Sequence, residues 1–203
     1  IGERSMDAKH SRFNQLILVL MILLYLLSLS YFTYLNWTVE PEHILWNHLL
    51  NALILSIPLV LLYGGLYVLI IAWRKHHENG QIDLKTEKII HWAPRIEAIL
   101  IIFFVSLFSL DVFDMEATPL EMLGGFLMHN IPSFIMIVLL IFAWRRPVVG
   151  FIAFLLAGVF FLRFVMMGPD LGNFILFSGP LLLISALFYA DWRWVKKGLA
   201  PLP

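Results

Sequence analysis

"SIPLVLLYGGLYVLIIAWRK", residues 56–75, carries no charged side chain from Ser56 until Arg74. Together with the apolar residues before it, this makes a run over Leu50–Trp73. Crossing ~30 Å of hydrocarbon takes roughly 20 apolar residues at ~1.5 Å per residue. The stretch therefore reads as a transmembrane helix, closed by a tryptophan and two basic residues at an interface.

Working outward from it, five further stretches approach or exceed the same length: Leu16–Leu35, Trp92–Leu110, Met122–Trp144, Pro147–Met166 and Asn173–Trp192. The composition agrees. The chain has 203 residues, of which 61% are apolar, 15% aromatic and 14% charged. Soluble domains hold about half apolar and about a quarter charged residues. The expected fold is all-α: one polytopic domain over residues 1–203, with six transmembrane helices arranged as three helical hairpins. The first run is longer than a signal-peptide core and no small-residue cleavage site follows it, so it reads as a retained anchor.

Fourteen basic and fourteen acidic residues cancel, and no basic run is long enough to follow a phosphate backbone, which excludes a nucleic-acid partner. Without cysteine there is no disulfide, thiolate metal site, iron–sulfur cluster or cysteine nucleophile. Every lysine and arginine except Arg163 falls in the N-terminal tail, between Arg74 and Arg95, at Arg145 and Arg146, or after Trp192. The positive-inside rule then puts both termini in the cytoplasm of a multi-pass protein of the inner (plasma) membrane. The opposite side collects Glu40, Glu42, Asp111, Asp114, Glu116, Glu121 and Asp170, with His43 and His48.

The even-numbered spans end alike, in "IAWR" at 71–74, "FAWR" at 142–145 and "ADWR" at 190–193, which marks Trp73, Trp144 and Trp192 as interface anchors. Each also has a proline toward its outer end: Pro58, Pro132 and Pro180. Three duplicated hairpins would produce this pattern, and so would ordinary inner-interface anchoring. In either case each proline frees a carbonyl and favours a kink. Kinks near one surface favour an outward-opening cavity.

Counting helical rise from the inner anchors, Asp111, His129 and Arg163 fall in one outer layer, about 22–28 Å up. They are the candidate ligand-binding residues, with Asp114 one turn from Asp111. A histidine beside a carboxylate suits a pH-sensitive latch or a polar ligand, and equally a structural pair at a helix end. At the inner edge, Arg95 and Glu97 point to different faces, so Glu97 is expected to meet Arg145 or Arg146. "QIDLKTEKIIHW" at 81–92 suggests a short interfacial helix. The adjacent His76 and His77 lack metal-ligand spacing, so no metal and no cofactor are expected.

The middles of the spans hold small polar residues such as Ser28, Ser56, Ser106 and Ser185, with no ionisable group near the midplane, which argues against a coupled pump. Small residues such as Gly64 and Gly65 suit close helix packing. A protease reading would have to pair Ser178 with His129, and no motif surrounds them.

"HWAPRIEAILIIFFVSLFSLDVFDM" followed by "LMHNIPSFIMIVLLIFAWRRPVVGFI" resembles a family of small prokaryotic membrane proteins of no known activity, over about residues 92–165. The resemblance implies an integral membrane protein with Asp111, His129, Pro132 and Trp144 in the family pattern, and no transferable chemistry. Six spans and about 200 residues are also similar to the substrate-capture subunits of vitamin importers, although "QLILVLMILLYLLSLS" lacks their alanine-spaced coupling motif. Three functions follow, in this order: an accessory or scaffold subunit of a larger membrane assembly, an outward-facing component that binds or transports a small molecule or cation, and last an intramembrane enzyme. No catalytic centre is recognisable. The expected partners are the lipid bilayer and a membrane-protein partner or a second copy of the chain.

Overall fold

The computed structural model describes residues 2–39, 45–114, 117–165, 172 and 174–195. Glu40, Glu42, His43, Glu116 and Asp170 lie outside them, as does the side chain of Asp114.

The described residues are all-α, with seven helices. They are α1 (Gly2–Val39), α2 (Leu45–Asn79), α3 (Leu84–Leu107), α4 (Pro119–His129), α5 (Ile131–Arg145), α6 (Pro147–Phe160) and α7 (Gly179–Trp194). A 3-10 segment, Phe108–Asp114, extends α3, while π-helical turns extend α6 (Phe161–Val165) and lead into α7 (Phe174–Ser178). Four helical segments are long and apolar enough to cross a membrane: Ser11–Val39, Leu45–Asn79, Leu84–Phe113 and Phe174–Trp194. The count becomes five when α4 and α5, bent by 45° at Asn130, are taken as one span. Pro147–Arg163 is apolar but shorter.

The bend in the expected fourth span has a local cause. Pro132 occupies the first turn of α5, where its missing N–H costs nothing, and Asn130 sits buried at the junction with Nδ2 donating to the Phe126 carbonyl at 3.0 Å. Pro180 likewise stands in the first turn of α7, immediately after a π-helical turn. Pro58 is different, because it lies inside the continuous helix α2. Two of the three prolines therefore mark helix starts.

α4 begins with a capping box encoded in "TPLE": Thr118 accepts from the Glu121 N–H, and Glu121 Oε2 accepts from the Thr118 N–H at 2.9 Å. α2 ends at Gly80, whose φ of 68° supplies the left-handed residue that stops a helix, and its N–H returns to the His76 carbonyl. Residues 84–92 are not a separate interfacial helix. They form the first turns of α3, because nothing in "LKTEKIIHW" interrupts the helical backbone before Pro94, which α3 also contains. The connecting loop is tied by Lys75, whose Nζ donates to Asp83 Oδ1 at 2.6 Å and to Thr86 Oγ1 at 2.8 Å. The hydrogen bonds from Lys75 and Thr86 hold the Asp83 carboxyl at about 2, well below its ordinary 3.8.

The core forms around α7. Its buried residues run from Gly179 to Asp191 on nearly every face, as expected of a helix surrounded by others. It packs on α2, α3 and α6, while α5 closes the bundle against α3 and α6. Ala98, Ile101, Phe104, Met136, Leu140, Phe154, Ile184 and Phe188 fill the centre. α6 comes close to α7 because Gly150 faces the Phe188 ring and Gly158 faces Leu182; a Cβ added at either would meet those side chains at 2.6 and 2.8 Å. α1 lies outside this arrangement, packed on α2 with a hydrogen bond of 2.7 Å between Ser28 and Tyr63.

Candidate functional site

His91 and Arg95 stand four residues apart on α3 and therefore share a face, which is turned toward the C-terminal end of α7. There the Arg95 guanidinium, 1% exposed, donates through Nη1 to Asp191 Oδ2 at 2.7 Å. Nη1 also donates to the His91 carbonyl, and Nη2 to the carbonyl of Trp144 on α5 at 3.1 Å. Asp191, whose side chain is 2% exposed, uses its other oxygen to accept from His91 Nδ1 at 3.1 Å. The guanidinium lies 5.9 Å from the Trp144 ring and 5.7 Å from the Phe188 ring. One arginine thus joins three helices, α3, α5 and α7, at the end of the bundle that carries the exposed tryptophans Trp92, Trp144 and Trp192. An ion pair removed from water this completely depends on hydrogen bonds to offset its desolvation; here Nη1 and Nη2 are bonded, while Nε is buried without a partner.

Glu97 lies on another face of α3. It is 8% exposed, and both carboxyl oxygens lie against Gly65 of α2, beside Leu183 of α7. A Cβ at Gly65 would stand 2.7 Å from Oε1 and 2.8 Å from Oε2, so the carboxyl group occupies the space that a side chain there would fill. Its Oε2 is buried without a hydrogen-bond partner. The expected pairing of Glu97 with Arg145 or Arg146 is not formed: both arginines are exposed, and the carboxyl group points away from them toward α2. Two residues of helical offset send Arg95 and Glu97 to different neighbours, both in the interior and not at the interface.

At the other end of the bundle, Asp111, His129 and Arg163 are all exposed. His129 Nδ1 donates to the Gly125 carbonyl at 2.9 Å within its own helix. No hydrogen bond or ion pair joins any two of the three residues. The 3-10 segment that carries Asp111 packs on α4 through Val112 against Gly125 and Phe113 against Phe126, with ring centroids 5.7 Å apart. His76 stacks on Trp194 and His77 approaches Trp73, so the adjacent histidines turn to different partners. Among the described residues no three His, Asp or Glu side chains come together as a metal site. A shallow groove of roughly 220 Å³ between α1 and α2 is apolar, lined by Met21, Tyr25, Val60, Tyr63, Gly64 and Tyr67 among others.

The residue that sequence reasoning missed is Asp191. In "IAWR", "FAWR" and "ADWR" the position before tryptophan holds Ala72, Ala143 and Asp191, and all three are buried. An acidic residue at the inward position of a repeated motif was the available signal.

The family model described as "Domain of unknown function (DUF7670)" matches residues 83–200. The chain belongs to the DUF7670 family. No curated protein matches it, and no solved structure does. The DUF7670 region contains α3 to α7 and with them the whole His91, Arg95, Trp144 and Asp191 constellation, as well as Glu97, Asp111, His129 and Arg163. Gly65, against which Glu97 rests, comes from α2, ahead of the matched region.

Proposed function

We propose that this DUF7670 protein is an accessory or scaffold subunit embedded in a larger membrane assembly. The observation that carries the reading is the apolar centre of the described residues. Phe104, Phe154 and Phe188 occupy the centre, the buried arginine is matched by an aspartate of the same chain, and the groove between α1 and α2 is apolar. A carrier or receptor for a polar solute keeps a polar cavity among its helices. A lateral surface is available: the apolar window of α1 is 11% buried, against 67% for that of α7.

In the full topology of this proposal, α4 with α5 forms one span and α6, extended through its π-helical turn, forms another. That makes six spans, with both termini and the end that carries Trp73, Trp144 and Trp192 on the cytoplasmic side of the plasma membrane. The basic residues flanking Trp73, Trp144 and Trp192 support this orientation.

Extraction in lipid-retaining particles followed by mass spectrometry of the intact assembly tests the proposal. Recovery within a hetero-oligomer is expected. A lone chain or homo-oligomer carrying a bound small molecule would replace it with the second reading, outward-facing binding of a small molecule or cation. That reading draws on the exposure of Asp111, His129 and Arg163, to which Asp114 would be added.

A further inference from the structure

Glu97 is a buried carboxyl group that the Arg95–Asp191 pair does not use; Glu87, ten residues earlier on α3, is buried as well. The walls around Glu97 are Gly65 and Leu183, and Oε2 has no donor. The charged groups of the neighbouring elements are engaged elsewhere or face outward. On α3 and α7, Arg95 and His91 are bound to Asp191. On α2, Arg74 lies near Glu78 and over the Phe13 ring, and Lys75 is bound to Asp83. Arg145 on α5 and Arg193 on α7 are exposed, the latter over the Trp192 ring.

A bare carboxylate in such surroundings pays a desolvation cost that nothing nearby offsets, and a buried group in that position neutralises itself. Among the described residues Glu97 belongs to no group of three His, Asp or Glu side chains that could hold a metal ion. The smallest counter-charge is a proton, and it needs no room beyond what Gly65 leaves. We propose that Glu97 is a proton-binding site at the junction of α2, α3 and α7, carrying its proton in the assembled bundle at neutral pH. Loss of that proton places an unmatched negative charge against Gly65 and Leu183, so proton release is coupled to separation of α2 from α3.

Infrared spectroscopy of the full chain in lipid particles at neutral pH tests this directly. The C=O stretch of a protonated carboxyl group is separate from carboxylate bands, and incorporation of glutamate labelled with ¹³C at the side-chain carboxyl distinguishes it from lipid esters. An isotope-sensitive band is expected in the wild type, lost in Glu97→Gln, displaced in Gly65→Ala and retained in Glu87→Gln. A wild-type spectrum without the band, or a band that survives Glu97→Gln, overturns the proposal. Should Glu97→Gln fail to fold, the wild type alone still decides through an apolar carbodiimide. This reagent adds across a protonated carboxyl group: the acid proton passes to one nitrogen, the carboxyl oxygen bonds the central carbon, and no group leaves. An adduct mapped to Glu97 supports the site, and adducts confined to other carboxyl groups overturn it.

Discussion

Arg95 and Asp191, separated by 96 positions in the chain, meet at 2.7 Å in a pocket closed to water. Because Arg95 also reaches the Trp144 carbonyl, this contact fixes α3, α5 and α7 relative to one another. Either Arg95→Ala or Asp191→Ala leaves the opposite charge buried and alone, which is expected to cost about 3–5 kcal/mol. Replacing both with apolar residues of similar volume, Arg95→Met with Asp191→Leu, is expected to recover most of the loss. Unfolding midpoints of the three variants in one detergent provide the check, and a double variant no better than either single change would contradict the pairing.

Close approach of α6 to α7 depends on the absence of side chains at two positions. In Gly150→Ala the new Cβ meets the Phe188 ring, and in Gly158→Ala it meets Leu182 and the backbone nitrogen of that residue at 3.2 Å. Overpacking of this kind is expected to cost about 1–3 kcal/mol, more at Gly158, where the backbone cannot yield. At Gly64, where an added Cβ meets nothing within 4 Å, Gly64→Ala is expected to be neutral or slightly stabilising. Thermal stability measured in parallel separates the three.

The loop between α2 and α3 has its own acid response. The folded-state value for Asp83 is depressed to about 2, so its contribution is present above the ordinary 3.8 and is lost as pH falls through about 2. The carboxylate is half exposed, and water and salt reduce the effect on global stability to a small one. Lys75→Met is expected to return the Asp83 titration toward 3.8. Carboxyl ¹³C chemical shifts followed through acid pH read this out. An unchanged titration in Lys75→Met would rule out the lysine as the cause.

For α4 the exposed start depends on its capping box. Thr118→Ala removes the oxygen that accepts from Glu121, with an expected cost of about 1 kcal/mol confined to the first turns. Faster hydrogen exchange at residues 120–123, with no change in α7, is the measurable result.

Much of the fold was legible because hydrophobic length is a one-dimensional quantity. The spans of α1, α2, α3 and α7 follow from apolar runs bounded by "AWR"-like ends or basic loops. The continuation of α3 back to Leu84 was not legible, because amphipathic turns read alike whether they lie in an interface or prolong a span. The bend at Asn130 was legible only as a proline, whose side chain starts a helix as readily as it kinks one.

The site was less legible, for a geometric reason. Depth along a helix follows from residue number, but rotation about the axis depends on which neighbours a helix acquires. Asp111, His129 and Arg163 were grouped by depth and by the adjacency of helices joined through short loops, and their side chains are exposed without bonds between them. Arg95 was visible as an interfacial residue, yet its partner required knowing that α7 is the central helix. Asp191 in the place of Ala72 and Ala143 was the one clue that carried rotational information.

The central position of α7 also sets a timetable for biosynthesis. At about 5–20 residues per second, a ribosome that has just made Arg95 takes roughly 5–20 s to reach Asp191. Throughout that interval Arg95 belongs to a chain whose counter-ion has not yet been made. A nascent chain that lacks its last helix therefore holds an arginine without its aspartate.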